Sequence, residues 1–404
     1  MTVTASPTTA LPRDAGEPRK KPLWRRAGRV SAWAMCVLVV VLGVAFFAPR
    51  LPIAPVQDVL GMTALFVPWL TGFLLVCVLG AAVTAVMAWR SGRRALFGAG
   101  VLAGLLAALM VVVPWAAAAR TAEVSWSDYF ASPAAATPTS TETYTTVDGQ
   151  DLKIDLYRPR ALAASKPALL YVHGGSWNSG TRADSAPWLR WMADQGIAVF
   201  SIDYRLAPPP RWQDAVGDVK CALGWIRAKA GKYGIAPSNV SIAGDSAGGQ
   251  LSMIAAYTVD DARFPPSCQV PEVPVRSVMG WYAPTDLPRL LDENGLPGMA
   301  ATVASDYLGG NIDTHHDRYE ASSPAAHVRP GLPPTLLVQG DRDHMIPATQ
   351  AADLAARLDA VGVPATAATI PWAEHNFTGQ WGTWGSQIMR PHVQRFLQER
   401  VIKG

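Results

Sequence analysis

Charge is scarce in this chain: 16% of its 404 residues are Asp, Glu, Lys or Arg, while 50% are hydrophobic. The scarcity is local. Val30 to Ala48, Leu65 to Trp89 and Ala95 to Ala119 contain no charged residue at all. Each is close to the ~20 residues needed to span hydrocarbon, and core helices are seldom both that long and wholly uncharged. All three are therefore expected to be transmembrane helices. A basic region before the first run resembles the start of a signal peptide, but "FFAPRLP" offers a poor small-residue cleavage site.

Acidic residues are nearly missing from the same region. Through Arg120 the chain has 12 basic and 3 acidic residues; the remainder has 23 and 28. The overall charge of +4 is thus a topology signal and leaves no nucleic-acid footprint. Seven basic residues precede the first span and Arg90, Arg93 and Arg94 fill the second loop, whereas the first loop holds only Arg50. By the positive-inside rule residues 1–29 form a basic, disordered cytoplasmic tail, and everything after Arg120 lies outside in a cell-membrane protein of several passes.

Cysteine is also sparse. Cys36 and Cys77 fall within spans as apolar filler, leaving Cys221 and Cys268 in the outer part. An oxidising exterior permits a disulfide between them, and an inert buried thiol at Cys221 is the alternative. No metal-binding spacing occurs: His315 and His316 are adjacent, without the i, i+4 separation that puts two imidazoles on one helical face. No internal repeat is found.

What the outer part does have is an alternation of strand-like and helix-like segments. After a linker over 120–140, residues 141–404 predict an α/β fold, a mostly parallel sheet with helices on both faces. "YTTVDGQDLKIDLYRP" reads as a hairpin turning at Asp148 and Gly149, and "PALLYV" and "IAVFSIDYRL" read as fully buried strands. Residues 286–324 break the rhythm and are expected to form an inserted cap.

Within "NVSIAGDSAGGQLSMIAA" a strand gives way to a helix at Ser246. Gly244, Ser246 and Gly248 fit G-x-S-x-G, a turn that projects the serine hydroxyl above a sheet. A serine needs a base, and the base needs an orienting acid. "QGDRDHMIP" and "AEHNF" follow later strands in the required order, which assigns Asp343 as acid and His375 as base. Asp341, His344 and His327 are rivals for these roles; Asp245 and Glu374 are expected to be structural hydrogen-bonding residues. The glycines of "HGGSW" let Gly174 and Gly175 offer amides to an oxyanion, together with the amide of Ala247.

"HGGSW", "DYRLAP", "GDSAGGQL", "SPAAH", "PPTLLVQGDRDHMIP" and "EHNF" together resemble the α/β-hydrolase esterases of the hormone-sensitive-lipase and bacterial feruloyl-esterase-like type, from about Tyr144 to the end. The resemblance implies a serine carboxylesterase acting on small acyl or acetyl esters, with no cofactor and no metal. Ser176 stands where many members have a third glycine. The expectation is a membrane-anchored, outward-facing esterase with a small-molecule, lipid or glycan ester as substrate. An acyltransferase using the same triad and a catalytically silent binding module are the alternatives.

Overall fold

The structure is a computed structural model that describes residues 23–47, 54–131, 136–293 and 295–403. Most of the expected tail and all of the segment around Arg50 lie outside these residues. Among the described residues three helices are long and apolar enough to cross a membrane by length and composition. α1 (Leu23–Phe47) starts seven residues before the uncharged run. α4 is Arg94–Thr121.

The middle helix differs from expectation. Instead of a loop up to residue 64, α2 (Ala54–Phe66) leads through a 3-10 turn, Val67–Leu70, into α3 (Thr71–Arg90). Pro68 sits at the start of that turn, where its missing N–H and fixed φ suit a first turn but not a continuous helix. The 35 residues from Val56 to Arg90 make roughly 50 Å at ~1.5 Å per residue, more than hydrocarbon thickness. α3 and α4 approach closely because small residues meet there: a Cβ on Gly100 would fall 3.1 Å from the Ala85 nitrogen. Leu79, Val76, Val83 and Met87 are exposed on the outer surface of the bundle.

The expected linker contains a short helix, α5 (Trp126–Phe130). It fastens the bundle to the α/β part of the chain. Trp115 of α4 stacks on Trp126 at 3.9 Å between centroids, and the Gln387 side chain accepts from the Ser125 amide while donating to the Ser125 carbonyl.

β1 (Ser140–Val147) and β2 (Gln150–Tyr157) form the expected hairpin. Asp148 and Gly149 both take positive φ, 54° and 75°, as a two-residue turn matched to strand twist requires. The sheet continues with β3 (Ala168–Val172), β4 (Ala198–Ile202), β5 (Val240–Asp245), β6 (Val278–Trp281), β7 (Thr335–Gly340) and β8 (Ala365–Ile370). Its order is β1-β2-β4-β3-β5-β6-β7-β8, with the β1–β2 and β2–β4 pairings antiparallel and the other five parallel. Every residue of β3, β4 and β7 is buried, as strands covered on both faces must be. The fold is that of an α/β hydrolase.

Between the strands run α6 (Ala186–Asp194), α7 (Asp214–Ala228), α8 (Ala230–Tyr233), α9 (Ser246–Tyr257), α10 (Leu287–Glu293), α11 (Pro297–Leu308), α12 (Ile312–Ala321), α13 (Ala348–Ala360) and α14 (Trp384–Phe396). α7 and α8 are separated at Lys229, and Gly234 ends α8 in the left-handed conformation. α6 is not evident from the sequence because the nine residues of "APWLRWMAD" are too few to establish a 3.6-residue period. Residues 286–324, expected as a cap, are mainly helical, as α10, α11 and α12. Cys221 and Cys268 are joined as a disulfide.

Candidate active site

Ser246 is the first residue of α9, immediately after β5, with φ at +49°. Two of its flanking glycines are sterically required. A Cβ on Gly244 would fall 2.4 Å from the Gly248 carbonyl carbon, and one on Gly248 would fall 2.1 Å from the Val172 oxygen. Only a chain without side chains there can turn so closely against β3.

His375 follows β8 and Asp343 follows β7, so three residues distant in sequence meet at the carboxyl ends of the parallel strands. Ser246 Oγ lies 2.9 Å from His375 Nε2, and His375 Nδ1 lies 2.9 Å from Asp343 Oδ2. Asp343 is itself fixed. Its Oδ1 accepts from the amides of Met345 and Ile346, at 2.9 and 2.7 Å, and its Oδ2 accepts from the Gln339 side chain at 2.7 Å. Such bonds hold the carboxylate in the orientation that keeps Nδ1–H as donor and frees Nε2 to accept. The Tyr282 ring stands edge-on to His375 at 4.9 Å.

The rivals are occupied elsewhere. Asp341 accepts from the Trp372 amide at 2.6 Å, and burial raises its carboxyl above the usual range. His344 Nδ1 is 2.5 Å from Glu374 Oε1, and burial pushes the Glu374 carboxyl up. His327 contacts the Ala321 carbonyl at 2.8 Å, and burial lowers its imidazole. His315 Nδ1 is 2.8 Å from the Thr314 hydroxyl, and no metal-holding cluster occurs among the described residues.

The three expected oxyanion amides are not equivalent. The Gly174 N–H donates to Asp245 Oδ1 at 3.0 Å, so it is turned to the carboxylate preceding Ser246 and is not free for an oxyanion. This corrects the sequence reading. Desolvation raises the Asp245 carboxyl, which also accepts from the Tyr171 hydroxyl at 2.6 Å. Among the described residues the amides of Gly175, Ser176 and Ala247 donate to no protein acceptor. Gly175, Ser176 and Trp177 all have positive φ, at 111°, 51° and 60°. Trp177 anchors this turn: its Nε1 donates to Gln250 at 3.0 Å and its ring stacks on Tyr307 at 4.6 Å. His173 stacks on Tyr204 at 4.4 Å, and burial holds its imidazole below the ordinary value.

An apolar cavity of about 30 Å3 adjoins Ser246. Ser176, Ala247 and Met345 line it from the sheet side, and Leu290, Leu296, Met299 and Val303 from α10, α11 and the turn between them. Since about 10–15 Å3 of this kind of space holds one water, it admits about two or three water-sized groups. No motif could have given these residues, because their spacing follows no pattern tied to chemistry.

The membrane-type bundle reaches the same region. Gln57 donates to the Gly295 carbonyl at 3.2 Å, and Arg342 donates to the Phe46 carbonyl at 3.0 Å while lying 4.6 Å over the Trp372 ring. Nothing in the sequence signalled this docking.

Comparison with known proteins places residues 154–358 in a match to the family described as BD-FAE. The chain is 32% identical over 221 residues to the probable carboxylic ester hydrolase LipM of Mycobacterium tuberculosis, covering 54% of this chain and 50% of that protein. It is 34% identical over 235 residues to the esterase LipC of the same organism, covering 55% and 56%. The chain thus spans about half the length of the curated relatives it matches. The propionate-bound structure of a thermophilic esterase, Est2, from Thermogutta terrifontis superposes with a TM-score of 0.56 at 25% identity, covering 67% of this chain and 97% of that one.

Proposed function

Because the chain belongs to the BD-FAE family, we propose that it is a serine carboxylesterase that hydrolyses esters of short acyl groups at the outer face of a membrane. The observation that carries this reading is the unbroken chain from Ser246 Oγ through His375 to Asp343, with both contacts at 2.9 Å. Named esterases among its relatives support it.

In this mechanism His375 Nε2 takes the hydroxyl proton as Ser246 Oγ attacks the ester carbonyl carbon. The imidazolium that forms is held against Asp343. The carbonyl oxygen becomes an oxyanion and is met by the amides of Gly175, Ser176 and Ala247, with Ser176 taking the part first expected of Gly174. His375 then returns the proton to the departing alcohol oxygen, leaving an acyl group on Ser246. Water activated by His375 releases the acid. Donors of this kind contribute because they are fixed before charge develops.

The small apolar cavity beside Ser246 suits an acetyl or propionyl group, and the Thermogutta esterase was crystallised with propionate and with butyrate. Residues 286–324 act as the cap that closes this cavity. The three apolar helices anchor the protein with its amino terminus in the cytoplasm. Arg90, Arg93 and Arg94 stand at the end of the bundle opposite the contacts with the hydrolase fold, which supports that orientation.

The test is covalent and kinetic. A fluorophosphonate probe should label the wild-type protein at Ser246, and Ser246→Ala should lose labelling and about 10^4-fold or more of short-chain ester turnover. Undiminished turnover in the variant would refute the assignment.

A further inference from the structure

Both chain neighbours of Asp343 are tied to the bundle. On one side Arg342 donates to the Phe46 carbonyl at 3.0 Å. Phe46 lies in the last turn of α1, where carbonyls have no partner within the helix and a cation is favoured, and α1 has no basic residue of its own in that turn. The Arg342 guanidinium thus closes the end of a helix that belongs to the bundle. On the other side the His344 carbonyl accepts from the Gly295 amide at 2.8 Å, and the Gly295 carbonyl accepts in turn from the Gln57 side chain of α2 at 3.2 Å. A Cβ on Gly295 would fall 2.8 Å from the His344 oxygen, so the two backbones lie as near as a glycine allows.

The loop that carries His375 meets the same surface. Trp372 stacks on Phe46 with ring centroids 5.6 Å apart, and the Arg342 guanidinium lies 4.6 Å over the Trp372 ring. Acid and base loops are also clasped to each other. The Arg342 amide donates to the Ala373 carbonyl at 3.1 Å, and Glu374 accepts from the His344 amide at 3.3 Å with its Oε1 2.5 Å from His344 Nδ1.

The bonds that Asp343 itself receives from Gln339, Met345 and Ile346 come from its own strand and loop. They fix the carboxylate within that loop; the loop's place beside His375 depends on contacts made by Arg342 and His344. Tethering alone requires none of these. We propose that the bundle is a positioning element of the active site: α1 through Arg342, and α2 through Gly295 and His344, hold Asp343 where it orients His375. Arg342 and Gln57 are positioning residues and touch no substrate. The proposal rests on the esterase reading above and adds that catalysis depends on how the bundle is seated.

The full chain in phosphatidylcholine nanodiscs, with nitrophenyl acetate as substrate, tests this. Rates are taken per Ser246 labelled to completion by fluorophosphonate, so that unfolded protein does not count. Arg342→Met, which keeps the stem and removes the guanidinium, and Gln57→Leu should each lower kcat about threefold to tenfold with KM within about twofold. Together they should approach about 10^2-fold, the scale of a reacting group displaced by about 1 Å. Arg342→Lys keeps a donor for the Phe46 carbonyl without the planar stack and should fall between wild type and Arg342→Met.

A looser Asp343 favours the imidazolium less, so the acidic limb of kcat/KM should move to lower pH in Arg342→Met and in Gln57→Leu. Loss of the Arg342 charge alone would move it to higher pH. The other titratable groups facing His375 and Asp343 are Asp245 at the end of β5, Tyr282 after β6, and Glu374 with His344 between the loops, all unchanged in these variants. Since the effect passes through Asp343, neither substitution should cost more than about twofold when added to Asp343→Asn. An unmoved kcat, a limb displaced upward, or full losses in the Asp343→Asn background would overturn the proposal alone. Failure of the wild type to label would overturn the esterase reading and the proposal with it.

Discussion

A Cβ on Gly61, in α2 of the bundle, would stand 2.5 Å from Leu296 Cδ2, and Leu296 is a wall of the apolar cavity beside Ser246. The second helical segment is therefore in contact with the site through one side chain. Gly61→Val should push Leu296 inward and lower the ratio of butyrate to acetate hydrolysis by about threefold to tenfold, the scale expected for a methylene or so of pocket space. Leu296→Ala should raise that ratio. Nitrophenyl esters of the two acids measure both, and a ratio unmoved in either variant would break the link.

Asp343 and Asp341 are separable by mutation. Asp343→Asn keeps the shape but loses the charge that orients His375, and turnover should fall about 10^4-fold. Asp341→Asn can still accept from the Trp372 amide, and its kcat should stay within about twofold, as for a group outside the reacting set. Reversed magnitudes would exchange the two roles.

His173 predicts a pH dependence. Burial lowers its imidazole in the folded state relative to the unfolded chain. As pH falls below ~6.5 the unfolded chain gains a proton that the folded one refuses, so stability declines by up to ~1.4 kcal/mol per pH unit until the folded value is reached. His173→Gln has no such group. Thermal unfolding in detergent between pH 7.5 and 5 should show the gap between wild type and variant closing as pH falls; a constant gap would show that His173 does not carry the effect.

The Cys221–Cys268 bond closes a loop across 47 positions. Replacing both cysteines by Ala should cost about 2–4 kcal/mol through the greater freedom of the unfolded chain. Peptide mapping without reductant should recover the linked pair from protein exported by its native host.

Orientation is open to direct labelling. Lys166 and Ser91 are exposed, on the hydrolase fold and in the loop between α3 and α4. In intact cells a membrane-impermeant maleimide should react with Lys166→Cys and should reach Ser91→Cys only after permeabilisation. The opposite pattern would invert the topology.

Reading the sequence succeeded where the signal is local. Uncharged runs name long apolar helices, because a charge in hydrocarbon is expensive. Ser246 stands out because only glycines at 244 and 248 allow the close turn against β3. The reading failed where a residue's use depends on its neighbours in space. "HGGSW" contains three usable amides, and only the Asp245 carboxylate, held by Tyr171, decides that Gly174 faces away. The segment of α2 has no clear helical signal of its own, because Pro55, Gln57, Asp58 and Gly61 dilute its apolar pattern. Its docking on Gly295 and Leu296 supplies what the pattern lacks.

The sequence by itself determined the division into long uncharged helices and an alternating α/β part, and the chain order of the serine, aspartate and histidine that meet at the strand ends. Those properties reside in composition and in short spacings, which solvation and backbone sterics translate directly into structure. Tertiary structure alone decided that the bundle leans on the hydrolase fold, that Leu296 stands on the cavity beside Ser246, and which amides remain unengaged. Such facts arise from packing between segments hundreds of residues apart, where each contact is fixed by the shape of the other surface and leaves no periodic trace in the chain.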